Sequence, residues 1–295
     1  MSFKSFTKKI LTKSITGFGA ISFFIVPNSI KANELNMPVC PTVASGNNTL
    51  NYIGTQQNGF CTLTPEKYEI TIYEMGLCTG PAITGNAGSM IYDKNNAGCI
   101  TTMSTATTVD LAGGNALANL PAGTRPPSDD YNYAYILISN NFKLKGSYTI
   151  KNADNSTTTF YSKPDVYEDD GVAYGKASNT ISASQEHTEV LNDLGFGDTW
   201  SGEMSAQTMS GGGKVSAILL KEDGLTKATA KGEVKRLLGA FETNAGNPVV
   251  INDSSKGLEV SLVVTDSGYA MMLSEDGSTI EEFGSAPFKP VFTVF

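Results

Sequence analysis

Histidine is almost missing from this sequence: among 295 residues there is one, His187. A single histidine excludes the several imidazoles of a multi-histidine metal site and leaves little room for histidine-based triads. His187 stands among the polar residues Gln185, Glu186 and Thr188. We therefore expect its side chain to be solvated on the surface of a short helix.

Motifs that carry nucleotide or hydrolase chemistry are missing as well. The sequence contains neither a Walker loop nor a Gly-x-Ser-x-Gly elbow. The Gly-Gly-Gly-Lys run at 211–214 is followed by Val215 and not by Ser or Thr, so we interpret it as a hairpin or flexible loop. Carboxylates alone can hydrolyse glycans, and Asp129 and Asp130 stand close to tyrosines, but solvated turns are the simpler interpretation. We predict a protein without catalytic residues.

Long apolar runs are confined to the N-terminus. Residues 15–26 are apolar or small throughout, which is well short of the ~20 residues that a membrane-spanning helix needs. Four lysines and no acidic residue precede this run, and the small residue Ala32 follows it. The pattern predicts a signal peptide over residues 1–32, whose removal leaves a chain that begins near Asn33. We expect this chain to have no transmembrane helix and to be exported to the periplasm, the cell surface or the extracellular medium.

Basic residues are in short supply. The sequence has 21 Lys and Arg against 29 Asp and Glu, a formal net charge of −8. Loss of residues 1–32 removes five lysines and no acid, so the net charge becomes −13. A surface this acidic repels nucleic acid and anionic lipid headgroups, and we expect neither as a partner.

Cysteine is sparse, and all of it lies in the N-terminal part of the exported chain, at Cys40, Cys61, Cys78 and Cys99. An even number of cysteines in an exported protein indicates disulfides, and three pairings are formally possible. The even spacing favours Cys40 with Cys61 and Cys78 with Cys99, two loops of similar size. A zinc site is the competing interpretation, but the close two-residue spacing of metal knuckles is missing.

Hydrophobic residues recur mainly with a period of two, and Gly, Asn, Asp and Ser separate the runs. Residues 68–73, 131–138, 142–150, 157–161, 215–220 and 258–264 all show this strand pattern. One helix is predicted, with Ser182 as its cap, Val190, Leu191 and Leu194 as its apolar stripe, and Gly195 at its end. The fold class expected is all-β, built as one or more antiparallel β-sandwiches with one short helix.

A polar, acidic stretch suggests how the chain is divided. Residues 164–182 contain one proline, two glycines and a cluster of acids. We interpret this stretch as a linker between a disulfide-containing β-sandwich domain at 33–163 and a β-rich domain at 183–295.

Part of the first domain resembles a known family. The strand pattern at 68–72 is followed by Thr-Val-Asp-Leu at 108–111, by Leu-Pro-Ala-Gly-Thr at 120–124 and by an aromatic strand at 131–138. This order resembles the transthyretin-like or prealbumin-like β-sandwich domains of bacterial envelope proteins. The resemblance covers residues 68–150. It implies a sandwich fold and an envelope location, and it carries no catalytic residues.

Aromatic residues offer the candidate binding face. Tyr131, Tyr133 and Tyr135 alternate along one predicted strand, and Trp200 is the only tryptophan. Exposed rings of this kind form a flat surface for sugar rings or a partner protein, whereas buried rings at the same period belong to ordinary strand packing.

No cofactor is expected, and calcium is the metal that the acidic residues of the sequence suggest. Glu168, Asp169 and Asp170 offer hard oxygen ligands, although without the alternating spacing of an EF-hand loop.

Taken together, these patterns predict a secreted or cell-surface structural and adhesion protein without catalytic activity. Its expected partners are further copies of itself, other surface proteins, or glycans. A non-catalytic carbohydrate-binding module is the first alternative, and a glycan hydrolase that uses only carboxylates is the second.

Overall fold

A computed structural model describes residues 34–35, 38–40, 60–112, 123–152, 154, 156–169, 172–194, 200–209, 212–274 and 279–295. The predicted signal peptide, residues 1–32, lies outside the described residues. Within this described part of the chain no helix is both long and apolar enough to cross a membrane.

Strands dominate the described residues, which hold 22 of them and two short 3-10 helices, Lys231–Glu233 and Thr243–Gly246. In chain order the strands are β1 (Glu34–Leu35), β2 (Phe60–Leu63), β3 (Lys67–Cys78), β4 (Ile83–Thr84), β5 (Ile91–Tyr92), β6 (Cys99–Met103), β7 (Thr107–Asp110), β8 (Asp129–Tyr131), β9 (Tyr133–Ser139), β10 (Asn141–Lys145), β11 (Ser147–Lys151), β12 (Thr157–Asp169), β13 (Val172–Ser178), β14 (His187–Val190), β15 (Glu203–Met209), β16 (Lys214–Leu220), β17 (Arg236–Glu242), β18 (Val249–Ile251), β19 (Leu258–Val263), β20 (Tyr269–Leu273), β21 (Ile280–Ser285) and β22 (Lys289–Val294). The expected all-β class is confirmed.

The larger sheet has ten strands. Its order is β1-β15-β16-β17-β9-β3-β10-β14, and β6 and β7 also pair with the long strand β3. All of these pairings are antiparallel except that of β1 with β15, which is parallel. The second sheet has six strands in the order β11-β12-β13-β21-β20-β2, and all of its pairings are antiparallel.

The two sheets enclose the main hydrophobic core. Tyr68 and Ile136 contribute from the ten-stranded sheet, and Phe160, Met271 and Phe283 contribute from the six-stranded sheet. At the start of β3, buried residues alternate with half-buried ones, which is why the period of two in the sequence was informative, whereas all five residues of β20 are buried.

A smaller core lies on the opposite face of the ten-stranded sheet. Tyr135, Ile218 and Leu238 supply its floor, and Ile83 and Met90 pack over them from the segment at 79–98. That face of the sheet is therefore also covered, which explains why β16 and β17 are apolar on both sides.

Both predicted disulfides are present. Cys40 pairs with Cys61 and Cys78 pairs with Cys99, and each bond spans 21 residues of sequence. No cysteine among the described residues is free, so the zinc interpretation is wrong.

The first described residues tie the two sheets together at one side. Strand β1 pairs with the end of β15, at the edge of the ten-stranded sheet. A few residues later, the Cys40 N–H donates to the Thr62 carbonyl at 2.7 Å, and the Thr62 N–H donates to the Pro38 carbonyl at 2.8 Å. Thr62 lies on β2, the edge of the six-stranded sheet. The disulfide of Cys40 with Cys61 fastens this crossing covalently.

The predicted helix after Ser182 is wrong. His187–Val190 is strand β14, which pairs with β10. The backbone on either side also bonds to distant parts of the chain: the Gln185 N–H donates to the Ser162 carbonyl at 2.8 Å, and the Leu191 N–H donates to the Asn140 carbonyl at 2.7 Å. Pairing with these long-range partners outweighs the local capping pattern that suggested a helix.

The segment at 164–182, which the sequence predicted to be a linker, contributes strands to the six-stranded sheet. Most of it belongs to β12 and β13, which form an antiparallel hairpin inside the six-stranded sheet. Both large sheets also combine strands from before and after this segment. Glu168 and Asp169, at the end of β12, contribute to the polar, linker-like composition of this segment.

Candidate functional site

The three tyrosines do not form one exposed face. Tyr131 is 2% exposed and Tyr135 is 1% exposed, while Tyr133 is half-buried. Strand β8 ends at Tyr131 and β9 begins at Tyr133, so Tyr131 lies on a different strand from the other two. The Tyr131 hydroxyl donates to the Pro127 carbonyl at 3.1 Å. Tyr131 and Tyr135 therefore belong to the interior of the protein and are not available to a sugar or a partner.

Tyr135 is part of a partly buried network around Glu74. The Tyr135 hydroxyl donates to the Glu74 carboxylate, and the Lys94 ammonium lies 2.7 Å from the same carboxylate. Burial disfavours the charged form of Glu74, but Lys94 and Tyr135 hold its pKa below the ordinary value. A Cβ at Gly76 would collide with the Tyr135 ring, so the glycine makes room for it. The network attaches Lys94, in the covering segment, to the sheet.

Trp200 packs against the main core and is partly buried. Its indole N–H donates to the Asn192 carbonyl at 2.8 Å. This bond joins Trp200 to Asn192, which follows β14 in the chain.

The acidic candidates that the structure describes lie on two strands, β8 and β12. Glu168 and Asp169 lie at the end of β12, but their side chains are outside the described part, and Asp170 lies outside the described residues altogether. Asp129 and Asp130 are exposed on β8. Calcium binding by the first three stays a prediction.

His187 is buried, so the expectation of a solvated histidine is wrong. The residue is 2% exposed, and its ring lies 6.1 Å from the ring of Tyr269, centroid to centroid. Neither ring nitrogen has a hydrogen-bond partner in the described structure. Burial lowers the pKa of His187 to about 4, so the ring is neutral at ordinary pH.

Glu189 is a buried carboxyl group that the sequence analysis did not single out. It lies two residues beyond His187 on the same face of β14 and is 1% exposed. The Ser285 N–H and hydroxyl each donate to one of its carboxyl oxygens at 2.6 Å. Burial raises the pKa of Glu189 to about 7, although the two bonds from Ser285 act in the opposite direction. The sequence did contain a signal for this burial: His187 and Glu189 are two residues apart, which is the spacing of side chains on one face of a strand.

The open edge of β11 is the best candidate for an interaction site. Within the described part of the chain, strand β11 ends the six-stranded sheet and pairs with β12 alone. The Asn152 N–H donates to the Ser156 carbonyl and the Ser162 N–H donates to the Gly146 carbonyl, so even-numbered residues of this strand bond towards β12. The backbone groups of Ser147, Thr149 and Lys151 consequently point away from the sheet.

Comparison with known proteins finds no matching family model, no matching curated protein and no matching solved structure. The resemblance to transthyretin-like domains accordingly stays a prediction.

Proposed function

We propose that this chain is an exported structural or adhesion protein that self-associates through the free edge of β11. The observation that supports the proposal is the row of outward backbone groups on this five-residue strand. Such an edge is a template for another strand, because each unpaired N–H and C=O can join a new ladder. The two disulfides support an oxidising compartment, in agreement with the predicted signal peptide.

The strand is complementary to a second copy of itself. In an antiparallel pair centred on Thr149, each Thr149 faces its counterpart and Ser147 faces Lys151 of the other copy. Thr149 already shares a hydroxyl hydrogen bond with Thr159 across the sheet, at 2.8 Å. Cross-strand threonine pairs of this kind stabilise a sheet, and this register places no like charges opposite each other.

Charge also favours this register. Lys151 has no carboxylate partner within the described residues. The Ser147 hydroxyl donates to the Glu66 carboxylate at 2.7 Å, and the Lys145 ammonium lies 3.7 Å from the same carboxylate. In the pair, the ammonium of Lys151 comes next to Ser147 of the other copy and so approaches its Glu66. Two such contacts form in a two-fold symmetric dimer.

Analytical ultracentrifugation of the exported chain over a concentration series tests the proposal. We expect a reversible dimer that Thr149→Pro abolishes, because proline removes the outward N–H and is tolerated at a sheet edge. Thr149→Val is the matched control: it keeps the N–H and should keep the dimer. Lys151→Glu should weaken association, and the charge-reversed pair Lys151→Glu with Glu66→Lys should restore it.

Other results would contradict self-association. A chain that stays monomeric at every concentration excludes this use of β11. Thermal stabilisation of that monomer by a polysaccharide would favour the carbohydrate-binding alternative. Release of sugar from a glycan, lost on replacing Asp129 and Asp130, would favour the hydrolase alternative.

A further inference from the structure

A cavity of about 80 Å³ lies in the main core against the ten-stranded sheet. Its floor contains Ala217, Gly239 and Ile136, which face one another directly across the adjacent strands β16, β17 and β9. Two small residues in one row leave a depression, because the neighbouring positions carry larger side chains. The cavity therefore arises because two small residues, Ala217 and Gly239, are paired on adjacent strands.

The walls of the cavity carry no charge. Met204 and Met209 line it from β15, and the chain around Ser285 and Phe288 closes it from the other sheet. Ser285 donates through both its N–H and its hydroxyl to the buried carboxyl group of Glu189, so its donors face away from any occupant. The remaining surface is apolar and disfavours an ionised or strongly polar group.

The cavity is not sealed. Val215, Leu237 and Phe288 line it and are partly exposed to solvent, so the space reaches the surface between these side chains. Flexible methionines in the wall can adapt to the shape of an occupant. A site with these properties takes up apolar groups from water because the transfer removes their surface from solvent.

We propose that this cavity is a binding site for a short alkyl group of a neutral molecule. An apolar cavity of about 150 Å³ holds benzene in another protein. The present cavity, at about 80 Å³, has about half that volume and therefore room for a chain of three or four carbons. The polar part of such a molecule extends through the opening towards solvent. This site is separate from the edge of β11 and does not depend on self-association.

Titration of the exported chain with 1-butanol tests the site, with the methionine methyl groups labelled for NMR. We expect saturable shifts of the Met204 and Met209 signals, while Met103, buried elsewhere in the core, stays unchanged. Gly239→Val should lower the affinity at least tenfold by filling the depression. A Cβ at this position meets only the Ile136 methyl, at an ordinary contact distance of 3.5 Å. Gly232→Val is the matched control, since a Cβ there meets nothing within 4 Å.

The outcomes separate the alternatives. Signals of Met204 and Met209 that do not saturate, or that respond equally in Gly239→Val, overturn the proposal. If circular dichroism shows that Gly239→Val does not fold, Ala217→Val fills the same depression from the next strand. Unchanged butanol affinity in a folded Ala217→Val would then overturn the site.

Discussion

His187 and Glu189 share one buried face of β14, and burial moves their pKa values in opposite directions. The pKa of His187 falls from 6.5 to about 4, and the pKa of Glu189 rises from 4.5 to about 7. Both side chains are therefore neutral in the folded protein between these limits. On unfolding between pH 4.5 and 6.5, His187 takes up a proton and Glu189 releases one.

These opposite changes predict a compensated pH dependence. The contribution of His187 to stability is present above pH 6.5 and is lost as the pH falls towards 4. The contribution of Glu189 is present below pH 4.5 and is lost as the pH rises through 7. We expect the two to cancel between pH 4.5 and 6.5 in the wild type.

Single substitutions should reveal how each residue alone makes the free energy of unfolding depend on pH. In Glu189→Gln, only His187 still titrates, so the free energy of unfolding should rise between pH 4.5 and 6.5 by up to about 1.4 kcal/mol per pH unit. In His187→Gln it should fall by a similar amount. Urea unfolding at a series of pH values measures both variants against the wild type. Curves that run parallel to the wild type would show that these groups do not titrate as described.

The strands and disulfides could be predicted because their signals are local. The alternation of Tyr68, Ile70 and Ile72 needs only the period of a strand, and the even cysteine spacing suggested the pairing. The environment of His187 could not be predicted in this way. It is set by Gly175 and Tyr269, which lie on other strands and come close only through the pairing of two sheets.

The aromatic residues show the same limit. A period of two places Tyr133 and Tyr135 on one side of a strand, but it does not say what covers that side. The covering segment at 79–98 is polar and rich in glycine, and its few apolar residues, such as Met90, gave no periodic signal. The segment is placed over the sheet by the pairing of β3 with β6 and by the disulfide of Cys78 with Cys99, which the sequence pattern of the segment itself does not indicate.

Gly175 should be intolerant of a side chain. A Cβ at this position would lie 2.5 Å from both ring nitrogens of His187, and the histidine ring is buried. We expect Gly175→Ala to lower the free energy of unfolding by about 1–3 kcal/mol, the usual cost of overpacking. Gly232→Ala, in open space, should change it by much less. Equal effects of the two substitutions, measured by chemical denaturation, would argue against the packing of Gly175 on His187.

The two disulfides should differ in what they protect. Each closes a loop of the same length, so replacing either pair by alanine should lower the free energy of unfolding by about 3 kcal/mol. Only the bond between Cys78 and Cys99 closes the segment that covers the smaller core. We expect limited proteolysis within 79–98 to accelerate in Cys78→Ala with Cys99→Ala and to stay slow in Cys40→Ala with Cys61→Ala.

Mass spectrometry of the wild type without reductant should detect no free thiol, and two free thiols would refute the pairing.

The burial of Tyr131 and Tyr135 predicts unequal effects along the tyrosine series. Replacing either by Ser removes a fully buried ring, which typically costs about 3–5 kcal/mol in the free energy of unfolding. Tyr135→Ser also leaves the Glu74 carboxylate without one of its donors. Tyr133→Ser should cost clearly less, since Tyr133 is only half-buried. Far-ultraviolet circular dichroism with thermal unfolding measures all three variants. Retention of full stability by Tyr131→Ser and Tyr135→Ser, together with a loss of self-association, would instead show that these rings form an exposed contact surface.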